Sequence, residues 1–307
     1  MKITRLSVYQ VDLPLKEGSY SWSTQSHAAF DTTIVRLDTD EGLVGFGETC
    51  PLGPTYLPSY PAGARTGIAT IAPDLIGLDP SEPEVVCRRM DHLLKGHPYV
   101  KSAIDMACWD ILGKAVGKPV HALLGGRQQD RIRLYQVVTR GDPKRMAEST
   151  VAYREAGFRH FQVKVGEDPD TDIRRFKEVA AVMQPGDVMD ADANTGWRQH
   201  DAIRVVNAVD HLADKHAIRL YIEQPCLTYE ECLPVRERCR HPMILDECMD
   251  SLNAVLRGYR DRAMDMINLK INRFGGLTRA RLIRDLCIEL GLPMNVEDSW
   301  GGEIATA

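Results

Sequence analysis

The sequence predicts an α/β protein with a (β/α)8-type, TIM-like barrel at residues 128–307, preceded by an α+β capping domain at residues 1–127. Three observations lead there. After Asp130, short runs rich in Val, Ile, Leu and Met alternate with amphipathic stretches of helical spacing, the signature of buried parallel strands in βα units. Five of these runs, HFQVKVG, VMDADANTGW, LYIEQPC, MILDEC and MINLKIN, carry Lys164, Asp192, Glu223, Asp246 and Lys270 toward their ends, at intervals of 28, 31, 23 and 24 positions. The residues before about 125 have a different rhythm, antiparallel β followed by helices.

Taken in order, residues 3–13 alternate as a first strand, and TTIVRLDTDEGLVGFGE reads as two strands joined at an Asp-Glu-Gly turn. Between them GSYSWSTQSHAAF is too long and polar for a tight turn, and residues 21–30 are expected to be a mobile loop closing over a ligand. Gly45-Phe46-Gly47 lacks the G-x-G-x-x-G pattern and a following helix, so it is not a nucleotide loop. RTGIATIAPDLIG, EPEVVCRRMDHLLKG and YVKSAIDMACWDILGKAVG show helical spacing with glycines near their ends, and His92, His97 and His121 are expected on helix surfaces. Seven strands follow, from RIRLYQVV to LPMNVEDSW, each of the first six with its helix. An eighth strand is not evident, so the barrel is expected to be incomplete at its carboxyl end.

Bulk properties exclude several classes. A formal charge of -5 over 307 residues implies no basic surface for nucleic acid. The first residues lack the apolar core of a signal peptide, and no window has the length of a membrane span. The eight cysteines include no C-x-x-C pair and no zinc spacing, so they are read as free thiols, mostly in the core. The expected compartment is the cytoplasm, and the expected partners are a small molecule and a second copy of the chain rather than nucleic acid or membrane.

In a closed barrel the strand carboxyl ends share one face, where the active site sits. Any single buried carboxylate is explained as readily by a helix cap or an arginine partner. Five successive strand ends would each need a separate explanation, because an unpartnered buried charge is expensive. Asp192, Glu223 and Asp246 are three hard oxygen donors from adjacent strands, the ligand set Mg2+ prefers, and the two lysines are expected on opposite sides of the metal. None of the strand ends carries histidine, which disfavours a zinc-type hydrolase.

GETCP in the cap, K-V-G, D-A-N-T-G-W, I-E-Q-P, L-D-E and N-L-K-I-N-R-F-G-G together resemble the enolase superfamily, in its mandelate racemase and muconate-lactonizing branch, over the whole chain. The resemblance implies Mg2+ on Asp192, Glu223 and Asp246, with Lys164 and Lys270 as an acid/base pair and Asn194 and Glu247 beside the ligands. Where many relatives have K-x-K, this chain has Gln162-Val163-Lys164, so Lys164 must be tuned by Lys270, the metal or burial. GETCPLGPTY, EQPC and EDSWGGEI resemble more narrowly the group acting on proline derivatives, dehydratases of cis-3-hydroxy-L-proline and epimerases of proline betaine and 4-hydroxyproline betaine. There Tyr56 is expected to face the ligand nitrogen, with Trp22, Asp298 and Trp300 near it. The implied reaction removes the proton α to a carboxylate: a lyase dehydrating the hydroxyproline, or an isomerase inverting the centre. A non-catalytic barrel that only binds is the alternative of another class, opposed by the presence of both lysines and all three acids.

Overall fold

The computed structural model describes residues 1–16, 18–22 and 25–306. In chain order the elements are β1 (Ile3–Pro14), β2 (Tyr20–Trp22), β3 (Gln25–His27), β4 (Ala29–Thr39), β5 (Val44–Thr49), α1 (Pro61–Ile71), α2 (Pro83–Leu93), α3 (Pro98–Val116) and α4 (Val120–Leu123). They continue with β6 (Gln136–Val138), α5 (Pro143–Glu155), β7 (His160–Lys164), α6 (Pro169–Val182), β8 (Val188–Asp192), α7 (Gln199–Val209), α8 (Leu212–His216) and β9 (Arg219–Glu223). Last come α9 (Tyr229–Arg238), β10 (Met243–Leu245), α10 (Leu252–Arg260), β11 (Met266–Lys270), α11 (Ile271–Phe274), α12 (Leu277–Glu289), β12 (Met294–Glu297) and α13 (Glu303–Thr306).

The chain forms two compact units. One comprises Met1–Leu15, Ala29–Asp130 and Leu269–Ala307; the other comprises Lys16–Ala28 and Arg131–Asn268. In the first unit β1, β4 and β5 form an antiparallel sheet in that order. Its core includes Val35, Leu37, Ile68, Ile71, Met90 and Ile104. The glycines of the G-F-G stretch are packing residues: a Cβ on Gly47 would lie 1.9 Å from the Ala103 carbonyl oxygen, and one on Gly45 2.2 Å from that of Ala107. Their lack of a side chain lets α3 press its backbone onto β5, and residues 99–109 of α3 are buried without interruption, Lys101, Ser102 and Asp105 among them. His92, His97 and His121 are exposed, as expected of surface histidines.

The strands of the βα units follow one another as neighbours in the order β6-β7-β8-β9-β10-β11-β12, and the pairs from β6 to β11 are parallel. The α/β barrel class and the preceding α+β elements are therefore as the sequence predicts. One strand is shorter than expected. RIRLYQVV pairs only through Gln136–Val138, against Phe161, Gln162 and Val163; the residues before it have no ladder partner, and Ile132 and Leu134 are exposed. The 21–30 segment also differs. Trp22 pairs with Gln25 and Tyr20 with His27 in a small hairpin, and the Trp22 ring, 2% exposed, stacks on His27 at 5.0 Å. Aromatic stacking across the hairpin holds together a segment of polar composition. Of the expected mobile loop, Ser23 and Thr24 lie outside the described residues.

Candidate active site

Register brings the charged residues of the second unit together. In the parallel ladders Lys164 pairs with Asp192 and Asp192 with Glu223, so the three stand in one row on adjacent strands, about 4.8 Å apart in the hydrogen-bonding direction. Period-two alternation turns Lys164, Asp192 and Glu223 to one face, and the fully buried Val163, Ala191 and Ile222 to the other. Asp246 lies one residue past β10. Its backbone N–H donates to Gln224 Oε1 at 2.9 Å, while Gln224 Nε2 donates to the Cys226 carbonyl at 2.9 Å. Gln224 thus ties the loop after β9 to the end of β10, at a backbone φ of 30°. Non-glycine residues rarely hold a positive φ, and here it coincides with the site.

Around this row the carboxylates have specific partners. Lys164 Nζ donates to Asp192 Oδ2 at 2.5 Å, and Asn194 N–H to Asp192 Oδ1 at 2.8 Å. Glu223 accepts from Gln162 Nε2 at 3.1 Å and from Asn268 Nδ2 at 2.5 Å. Asn194 Nδ2 donates to Glu247 Oε1 at 3.0 Å, placing these two expected site residues side by side. The loop after β7 is fixed from below. Asp172, fully buried, accepts from the N–H groups of Gly166 and Glu167, from Trp197 Nε1 and from Arg175. Gly166 has φ of 95°, and a Cβ there would sit 2.1 Å from the Ala193 carbonyl.

The electrostatics are one-sided. Asp190, which the sequence reading passed over, stands one pleat below Asp192, is 1% exposed and has the Glu223 carboxyl as its hydrogen-bonding neighbour. Burial raises its pKa to about 7. Burial, and then the charges of Asp190, Asp192 and Asp246, push Glu223 well above the usual carboxylate range. Burial opposes the Lys164 ammonium, but Asp192, Tyr20 and Glu223 outweigh it and raise its pKa well above that of an ordinary lysine. A base must be neutral, so a lysine surrounded by carboxylates in this way stays an ammonium until their charge is offset. The excess of carboxylate is the cause. Four buried acids, Asp190, Asp192, Glu223 and Asp246, stand in the second unit with the ammonium of Lys164 on Asp192, and carboxylate oxygens of Glu223 and Asp246 lie within 4.8 Å of each other. A hard divalent cation fits such a donor set and relieves its repulsion.

In the first unit, Lys270 Nζ lies 3.1 Å from Glu297 Oε1 at the end of β12. Burial, with a contribution from Asp298, raises the Glu297 pKa to about 8. Asp298, raised by burial to about 6, accepts from Asn272 N and Nδ2 at 3.1 and 2.8 Å. Trp300 stacks on Phe30 at 4.4 Å, and the Tyr56 hydroxyl accepts from Arg273 at 3.5 Å. The buried Glu48 of the GETCP stretch accepts from Thr32 Oγ1 and from the N–H groups of Gly302 and Ala305. The structure therefore groups Lys164, Asp192, Glu223, Asp246, Asn194 and Glu247 in one unit, and Lys270, Asp298, Trp300 and Tyr56 in the other; Trp22 belongs to the hairpin, where its neighbour Tyr20 acts on Lys164. The sequence reading missed Asp190, Gln162 as a partner of Glu223, Asn268, Gln224 and Tyr20. For Asp190, its place as the first acid of D-A-D, two positions before Asp192 and so on the same face, was the available signal.

Residues 4–125 match the mandelate racemase / muconate lactonizing enzyme N-terminal domain, and residues 145–307 match the enolase C-terminal domain-like family. The chain belongs to the enolase superfamily. Within its mandelate racemase and muconate-lactonizing branch, it is 51% identical to a cis-3-hydroxy-L-proline dehydratase of Roseibium aggregatum, over 100% of this chain and 82% of that protein. It is 30% identical to an N-succinyl-L-Arg/Lys racemase of Bacillus cereus, over 90% of this chain and 74% of that one. A crystal structure of an enolase-superfamily member from Roseovarius nubinhibens, complexed with magnesium, superposes with a TM-score of 0.89 at 40% identity, covering 98% of this chain and 80% of that one. This superfamily member is an enzyme, and its relatives include a lyase and an isomerase, the two classes expected from the sequence. Members of the superfamily generally bind Mg2+. No helix among the described residues is long and apolar enough to cross a membrane.

Proposed function

We propose that the chain is a Mg2+-dependent hydro-lyase that dehydrates cis-3-hydroxy-L-proline to Δ1-pyrroline-2-carboxylate, with residues 1–127 as its cap and 128–307 as its barrel. The observation that carries this is the row of Lys164, Asp192 and Glu223, continued by Asp246, in a chain 51% identical along its whole length to a protein of that name. Asp192, Glu223 and Asp246 would hold the cation, and the excess of buried carboxylate suits it. When bound, Mg2+ supplies positive charge to the substrate carboxylate, where charge accumulates once the α-proton is lost.

The chain's own residues do the rest. One of Lys164 and Lys270 takes the α-proton; the other gives a proton to the departing hydroxide. In cis-3-hydroxy-L-proline the α-hydrogen and the hydroxyl lie on opposite ring faces, which suits two lysines on opposite sides. The C–H and C–O bonds break, water leaves, and the enamine tautomerises to the imine. A free imino acid offers N–H donors, and Asp298 is placed in this reading to accept them, with Tyr56, Trp22 and Trp300 as apolar walls and Asn194 and Glu247 as polar contacts. The likeness to a racemase favours a second reading on the same residues: inversion at the α-carbon of proline betaine or 4-hydroxyproline betaine.

Proton NMR in D2O with Mg2+ separates the two. Loss of the ring hydroxyl from cis-3-hydroxy-L-proline is the expected outcome. Deuteration and inversion of the betaines, with no elimination product from the hydroxyproline, would replace the lyase with the epimerase.

A further inference from the structure

Glu223 differs from the other acids of the site in how it is held. Its side chain is fully buried, and each of its oxygens carries one neutral amide donor, Gln162 Nε2 on Oε2 and Asn268 Nδ2 on Oε1. The two donors are themselves buried, 3% and 0% exposed. They come from β7 and β11, each two places from β9 in the sheet order, on opposite sides. Because the donors sit on regular strands, Glu223 cannot turn about its terminal bond without breaking one of the hydrogen bonds, and a broken one leaves a polar group unsatisfied where water cannot replace it. An ammonium at position 162, as in K-x-K relatives, would bring a mobile charge with three rotatable donors; the Gln162 amide gives one directional N–H and no charge.

We infer that Gln162 and Asn268 are positioning residues that lock the orientation of Glu223 and thereby set the site's preference for Mg2+ over Ca2+. The inference rests on Glu223 being a cation ligand, as proposed above. Mg2+ demands near-ideal octahedral geometry at short distance, whereas Ca2+ accepts six to eight oxygens, longer bonds and carboxylates in either mono- or bidentate mode. A carboxylate held at both oxygens meets the strict requirement and resists the rearrangement the larger ion uses. Releasing one oxygen makes the ligand adaptable, which harms Mg2+ binding and leaves Ca2+ binding little changed.

Isothermal titration calorimetry of the full chain, stripped with chelator and titrated separately with Mg2+ and Ca2+, reads this without reference to turnover. Wild type is expected to bind Mg2+ more tightly. Gln162→Met and Asn268→Leu are each expected to lose about 10- to 100-fold in Mg2+ affinity with a much smaller change for Ca2+, so that the Mg2+/Ca2+ ratio falls by about tenfold or more. General damage to the fold would weaken both ions alike. Gln162→Met keeps the buried volume, so the ratio remains readable on it if Asn268→Leu fails to fold. An unchanged ratio in a variant that still binds both ions overturns the inference and leaves the metal reading standing. A wild-type chain that binds neither ion overturns both.

Discussion

At the scale of single residues, the site is a set of buried carboxylates whose mutual repulsion is relieved either by protonation, as the raised pKa values of Asp190 and Glu223 show, or by a bound cation. Lys164 and Lys270 are the proposed acid/base pair, and Lys164→Ala and Lys270→Ala should each lower turnover by about 10²- to 10⁴-fold, the usual contribution of a positioned proton-transfer group. Mass spectrometry in D2O adds the finer readout: one of the two variants should still exchange the α-proton of a single enantiomer. Normal turnover in both would remove the paired-base reading. Asp190 supplies a test by pH. Its folded pKa of about 7 exceeds the ordinary value of 3.8, so between those pH values the folded state binds more protons than the unfolded state. Stability from this group therefore falls as pH rises through that window and levels off above it. In chelator, the melting temperature of Asp190→Asn relative to wild type should climb from pH 4 to pH 7 and then flatten; a constant difference would mean that Asp190 is not the strained acid.

At the scale of elements, the loops that follow β7 and β8 are set by Asp172 more than by their own sequence. Its carboxylate gathers two backbone N–H groups, an indole and Arg175, and Arg175 reaches on to the Gly141 carbonyl and to Glu167, which also pairs with Arg140. Arg140 N–H in turn donates to the Ser21 carbonyl of the small hairpin. Removing one partner of a buried ion pair strands the other, so Asp172→Ala should destabilise the chain by about 3–5 kcal/mol in chemical denaturation. A loss below about 1 kcal/mol, the range of exposed pairs, would show the network to be solvated.

At the scale of the whole molecule, a ligand that binds only the folded chain stabilises it by mass action, by about 2.7 kcal/mol at one hundred times its Kd. Mg2+ should raise the melting temperature by several degrees, chelator should reverse this, and Glu223→Gln should abolish it. A shift that persists in Glu223→Gln would place the ion elsewhere. The sequence by itself determined the order of strands and helices and the strand-end positions of Lys164, Asp192, Glu223, Asp246 and Lys270, because hydrophobic period and chain direction are local properties. It also showed that Gly45-Phe46-Gly47 lacks the G-x-G-x-x-G pattern of a nucleotide loop, though not that the two glycines admit α3. Only the tertiary structure decided that Gln162 and Asn268 converge on Glu223 from strands 102 residues apart at their closest ends, where parallel register replaces sequence distance. It alone showed Asp190 to be a fourth buried acid of the site and Trp22 a buried stacking partner within a hairpin, because the depth of a side chain's burial and what it packs against depend on segments remote in the chain.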